Sequence, residues 1–136
     1  MGSLKLRGLQ SEIHGDRRPL VLIVEDEHFV RMMAVDALQD AGYATIEAED
    51  GDRALTLLDE RDDIELVFTD IRMPGQIDGL DLARRIQSFR PRTPVVLTSG
   101  HMFEGDRDIP ASTPFLQKPY RAAALIGQLD RIFGRA

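Results

Sequence analysis

The sequence predicts an α/β domain in which a parallel sheet is covered by helices on both faces. Three observations carry this. Short apolar runs rich in β-branched residues, such as LVLIV (20–24) and PVVLT (94–98), read as strands buried on both sides. Between these runs, apolar residues recur at helical spacing. The two periods alternate five times along 136 residues, a length that holds one domain with a sizeable core.

Each element follows from its own pattern. After LVLIV, the residues Val30, Met33, Ala34, Ala37, Leu38 and Ala41 form a helix stripe, and Gly42 supplies its stop. YATIEA (43–48) reads as the second strand, and residues 51–61 as a helix through Ala54, Leu57 and Leu58. IELVFT (64–69) is the third strand, and residues 79–89 form a helix with Leu82, Ala83, Ile86 and Phe89 on one side. PVVLT is the fourth strand and PFLQ (114–117) a shorter fifth. Residues 120–133 close the chain as a helix, with Ala122, Leu125, Ile126, Leu129, Ile132 and Phe133 on one face. The stretch SGHMFEGDRDIPAST between the fourth and fifth strands is broken by Gly105 and Pro110, so the fourth helix is expected to be short or distorted.

Composition narrows the function classes. There is no cysteine, which excludes disulfides and thiolate metal sites. No apolar run approaches the length of a membrane span, and the N-terminus lacks a signal-peptide pattern, so a cytoplasmic protein without a membrane partner is expected. The net charge is −6. Residues 1–18 carry four basic residues (Lys5, Arg7, Arg17, Arg18) against Glu12 and Asp16, and are expected to form a flexible N-terminal arm. The remaining domain is correspondingly more acidic, which argues against direct nucleic-acid binding.

In parallel α/β sheets, ligands bind beyond the carboxyl ends of the strands. There the first strand delivers Glu25 and Asp26, the third Asp70, the fourth Thr98 and Ser99, and the fifth Lys118. Taken singly, each has a plain reading: Asp26 as a helix N-cap, Asp70 as a turn former, Ser99 with Gly100 as a turn, Lys118 as a solvated surface residue. Their convergence on one edge changes the weight. Two unit charges about 4 Å apart repel by roughly 4 kcal/mol at an effective dielectric near 20, so clustered carboxylates require cations. Lys118 offsets one charge, and a hard divalent ion such as Mg²⁺ suits the oxygen-only remainder. Lysine is also rare here: the chain has 15 arginines and only two lysines, one of them directly before Pro119.

Four segments, LVLIVEDE, VFTDIRMPGQIDG, PVVLTSGH and FLQKPY, resemble the receiver domain of two-component response regulators, in order and in spacing, over roughly residues 19–134. The resemblance implies a flavodoxin-like (βα)5 three-layer sandwich with strand order 2-1-3-4-5. It implies that Asp70 is a phosphoacceptor, taking a phosphoryl group from a phosphohistidine of a sensor histidine kinase or a histidine phosphotransfer protein. Asp26 would bind Mg²⁺ directly and Glu25 through water, with Asp70 and the backbone carbonyl of Arg72 as further ligands. Ser99 and Lys118 would contact the phosphoryl group, and the Lys118–Pro119 bond would be cis. A compact ammonium suits one phosphoryl oxygen better than a planar guanidinium, which accounts for lysine at this place. Ser99 and Phe115 would form the switch, Phe115 standing where the family often has tyrosine. Such a module is not a conventional enzyme, although it promotes its own aspartyl phosphorylation and dephosphorylation.

Some features depart from the family. MPGQIDG carries one residue more than the commonest spacing, so the loop after Asp70 is expected to sit differently. His101 falls either at the site's rim or in a solvated turn; His14 and His28 read as surface residues. An aspartyl-nucleophile phosphatase would need an acid where Arg72 stands. A flavodoxin-like cofactor binder would need a phosphate-cradling loop where EDEH stands. A receiver-like module that only binds protein would have no use for the full set of acids, Ser99 and Lys118. The expected organisation is an arm over 1–18 and a receiver domain over 19–136, as a stand-alone regulator or the receiver of a hybrid kinase. Its output protein is not specified, and a homodimer is left open.

Overall fold

The computed structural model of the chain describes residues 17–100 and 112–135. Five strands, β1 (Leu20–Val24), β2 (Ala44–Ala48), β3 (Leu66–Asp70), β4 (Val95–Ser99) and β5 (Phe115–Gln117), form one sheet in the order β2-β1-β3-β4-β5. Every pairing is parallel. Four helices are described: α1 (His28–Asp40), α2 (Gly51–Glu60), α3 (Gly79–Phe89) and α4 (Ala122–Phe133). The short or distorted helix expected between β4 and β5, together with His101 and His14, lies outside the described residues.

Alternation along the central strands builds two cores. Val21, Ile23, Leu66, Phe68 and Val96 face α1 and α4, where they meet Ala34, Leu38, Leu125 and Leu129. Leu22, Val24 and Val67 point the other way, onto Ala54, Leu57, Leu58, Leu82 and Ile86 of α2 and α3. This is the three-layer sandwich that side chains of period two on a doubly covered sheet require. Tyr43, directly before β2, is fully buried in the first core, and its hydroxyl donates to Asp130 Oδ1 of α4 at 2.6 Å.

Three side chains assigned to helix stripes lie elsewhere, among them Ala122, exposed at the start of α4. Met33 is 71% exposed, and Val35 packs against the first core instead. Phe89, placed beside Leu82 and Ile86, is also largely exposed at the last residue of α3. The third strand begins at Leu66 rather than Ile64, although Ile64 is buried in the second core. Helix boundaries follow their signals: Asp50 accepts from Arg53 N–H at 2.8 Å, Asp78 and Asp81 form a reciprocal capping box, and Gly42 ends α1 with a φ of 92°.

Candidate functional site

The sheet register brings the expected residues to one edge. β1 ends at Val24, and Glu25 continues the pairing through its N–H to Ala48 O at 3.1 Å. Asp70 closes β3 opposite Thr98, and Ser99 closes β4 opposite Gln117, one residue before Lys118. Carboxylate oxygens of Glu25, Asp26 and Asp70 all lie within 4.8 Å of one another. Glu25 and Asp70 are buried, whereas Asp26 is exposed.

Lys118 joins this cluster from the far strand. Its Nζ donates to Glu25 Oε1 at 2.7 Å and to Asp70 Oδ2 at 2.8 Å. Each carboxylate also takes a backbone donor: Glu25 Oε2 from Glu27 N–H at 3.1 Å and Asp70 Oδ1 from Arg72 N–H at 3.2 Å. Burial raises the Glu25 pKa, the Lys118 bond partly counters this, and the Asp70 charge raises it further. For Lys118, burial acts downward but is outweighed by the bonds to Asp70 and Glu25, leaving the ammonium more basic than usual. The Lys118–Pro119 peptide is cis.

The donor set suits a hard divalent cation. Three carboxylates against one ammonium leave two negative charges in the pocket, and all the offered atoms are oxygens. Oxygens on opposite sides of one Mg²⁺ are about 4.2 Å apart, so a cluster already within 4.8 Å needs only slight tightening to converge on one ion. Asp26 is not the helix cap: Glu27 holds that position in α1, without a side-chain cap bond.

The other expected site residues are placed as follows. Ser99 is buried, and its carbonyl accepts Lys118 N–H at 2.9 Å. Its neighbour Thr98 turns its hydroxyl away, onto Leu116 O at 2.7 Å. Phe115 is half-buried at the start of β5, opposite Leu97 and two positions before the Ser99 pair. His28 is exposed at the start of α1.

Several residues that shape the site carry no obvious signal in the sequence. Gly79 lies where a Cβ would come 2.1 Å from Asp70 O, so α3 starts against the backbone of the third strand's end. The loop from Ile71 is fixed at both ends. Ile71 N–H bonds Thr98 O at 2.8 Å, and Gly79 N–H returns to Ile71 O at 2.8 Å. Ile77 is buried in the second core under Gly51, where a Cβ would meet Ile77 O at 2.6 Å. Arg31 donates to the Glu25 carbonyl from α1. Tyr120, packed edge-on against Phe68 at 5.6 Å between ring centres, has its pKa pushed up to about 12 by burial and then by the charge of Glu25.

Residues 21–130 match the family model described as response regulator receiver domain. The chain belongs to the response regulator receiver family. This receiver is 30% identical over 115 residues to the response regulator receiver protein CpdR of Brucella abortus, covering 82% of this chain and 94% of that one. It is 38% identical over 104 residues to the sensor kinase CckA of the same organism, covering 74% of this chain but only 11% of the kinase. Among solved structures, the crystal structure of a response regulator receiver protein from Sinorhizobium medicae WSM419 superposes with a TM-score of 0.80 at 28% identity, covering 87% of this chain and 96% of that one. The receiver fold and its strand order are thus common to chain and neighbour, and the module is one of two-component signalling. Among the described residues, no helix is long and apolar enough to cross a membrane.

Proposed function

We propose that Asp70 of this receiver accepts a phosphoryl group from a phosphohistidine on a sensor kinase or histidine phosphotransfer protein, in the cytoplasm. The observation that carries the reading is the Lys118 ammonium seated on Asp70 Oδ2 inside a cluster of three carboxylates. Glu25, Asp26 and Asp70, with the Arg72 carbonyl, would hold Mg²⁺. When bound, the ion supplies positive charge against the phosphoryl oxygens and against the crowded acids.

The chain's own residues do the rest. An Asp70 oxygen attacks phosphorus in line, the P–N bond breaks, and the departing imidazole takes up a proton. Positioning and charge stabilisation dominate such a transfer, since little other covalent work is needed. Lys118, already desolvated and directed at Asp70, turns from Glu25 toward a phosphoryl oxygen. Ser99, buried at the end of β4, donates its hydroxyl to another. The phosphoryl group adds charge and acceptors that were absent before, and the β4–β5 register gives Ser99 and Phe115 a short route to register the change. Phe29 and Met33, exposed one turn apart on α1, the helix that begins two residues after Asp26, offer an apolar landing surface for the histidine-bearing partner. The receiver unit is taken as 19–136, and the arm expected over 1–18 lies, up to residue 16, outside the described residues; the unit promotes its own phosphorylation and hydrolysis.

Acetyl phosphate with Mg²⁺ tests this. The expected product carries one acid-stable, base-labile phosphoryl group by intact mass, and Asp70→Asn carries none while keeping its circular dichroism spectrum. Undiminished labelling of Asp70→Asn would move the acceptor elsewhere.

A further inference from the structure

Glu25 and Asp26 stand just past the end of β1, where the sheet no longer provides partners. The Glu25 N–H still reaches Ala48 O, but its carbonyl has left the ladder. That carbonyl is taken by a side chain. Arg31, in the first turn of α1, donates from one terminal nitrogen to Glu25 O at 2.7 Å and from Nε to Glu47 Oε1 at 3.0 Å. Its other terminal nitrogen lies 3.5 Å from His28 Nδ1. One guanidinium therefore ties the acidic turn to β2 and to the start of α1.

The grip differs from that of a surface ion pair. The Arg31 side chain is 16% exposed against 47% for Glu47, and its shortest bond goes to the carbonyl, not the carboxylate. The peptide it holds is the one that leads into Asp26. Glu25 has its own restraints, from Lys118 and from Glu27 N–H. Among the described residues, none hydrogen-bonds the exposed Asp26 carboxylate, so its place in the cluster depends on the backbone beneath it.

We propose that Arg31 is a positioning residue for the metal pocket: it fixes the Glu25–Asp26 peptide and so keeps the Asp26 carboxylate within reach of the ion. The inference rests on the metal-binding reading above and adds a residue to it. The sign of the effect makes it testable. As a nearby positive charge alone, Arg31 repels a divalent cation, and its loss would tighten binding. As a positioning group, its loss loosens binding, and outer contacts of this kind are typically worth roughly tenfold or more in metal affinity. The two roles predict opposite shifts.

The experiment is an Mg²⁺ titration of the nitrogen-15-labelled chain followed by amide shifts, for wild type, Arg31→Met and Arg31→Lys. Arg31→Met is expected to bind Mg²⁺ about tenfold more weakly. Arg31→Lys, which keeps the charge but cannot hold both the carbonyl and Glu47, should fall between it and wild type. Without metal, hydrogen exchange at the Asp26 and Glu27 amides should quicken in Arg31→Met relative to amides in β3. Unchanged or tighter Mg²⁺ binding by a folded Arg31→Met overturns the proposal, as does a lowered melting temperature with wild-type affinity, which would mark a structural role only. Should Arg31→Met not fold, Arg31→Lys decides: weakened binding supports the proposal and wild-type affinity overturns it. Wild-type labelling by acetyl phosphate tests the phosphoacceptor reading separately, since its failure would leave these affinities unaltered.

Discussion

Replacing Lys118 by methionine keeps most of the apolar stem and removes the one ammonium between Glu25 and Asp70. The three side chains are 18%, 5% and 7% exposed, so little solvent screening is available. Both carboxylate oxygens sit within 2.8 Å of Nζ, which leaves them at most about 5.5 Å apart with nothing between. At an effective dielectric near 20, two charges at that separation repel by about 3 kcal/mol. This agrees with the usual cost of removing one partner from a buried ion pair. For a domain of this size, about 3 kcal/mol corresponds to roughly 10 °C in melting temperature.

The pH dependence sharpens the test. Burial and the Asp70 charge already raise the Glu25 pKa, and losing Lys118 removes the main influence that lowers it. A carboxyl whose folded pKa lies above its unfolded value favours the fold below that unfolded value, and the advantage is lost as pH rises through the folded pKa. The deficit of Lys118→Met is therefore largest near neutrality and shrinks on acidification as Glu25 takes up a proton. Thermal melts by circular dichroism, in metal-free buffer at neutral and at acidic pH, measure it. A variant as stable as wild type near neutrality, or a deficit that ignores pH, would refute the electrostatic account of the pocket.

Two glycines should respond in opposite directions. Gly127→Ala, mid-helix in α4 with nothing within 4 Å of the added Cβ, is expected to stabilise by about 0.5–1 kcal/mol. Gly79→Ala, driven against Asp70 O, should destabilise by about 3 kcal/mol or more, and chemical denaturation of both compares them directly. The two tyrosines, Tyr43 and Tyr120, both have pKa values pushed up to about 12, by burial first, then by a hydrogen bond to Asp130 for Tyr43 and by the Glu25 charge for Tyr120. Folding favours the neutral phenols, so their stabilisation is whole below about pH 10 and is lost as pH rises toward 12. Ultraviolet titration of the native protein should show almost no tyrosinate near pH 10.5, whereas substantial ionisation there without unfolding would contradict the burial of both rings.

The residues at the strand ends were legible because topology dictates where such ends go: once five strands are parallel, Glu25, Asp26, Asp70, Ser99 and Lys118 must share an edge. Pattern reads burial better than pairing. Ile64 is apolar because it packs in the second core, and the strand it was assigned to starts two residues later. The single α1 stripe runs through Met33, whereas packing turns Val35 toward the core and leaves Met33 outside. Arg31 was illegible for a different reason: its partner is a backbone carbonyl, and carbonyls carry no residue type to recognise. Gly79 is illegible for a related reason: what it must clear is the Asp70 backbone, which no residue type announces.

The segment after Asp70 shows how a loop can vary in length beside a fixed strand end. Ile71 and Ile77 are both buried, Ile77 in the second core, while Arg72 and residues 74–76 are exposed, with a φ of 99° at Gly75. An added residue in MPGQIDG can thus swell outward between two moorings, as slack between pegs, without pulling on the strand that ends in Asp70. The peg at Ile77 also reaches α2, under Gly51. Insertions between 72 and 76 should therefore be absorbed with little loss of stability, whereas a single insertion between Ile77 and Gly79 would drag the start of α3 off the Asp70 backbone.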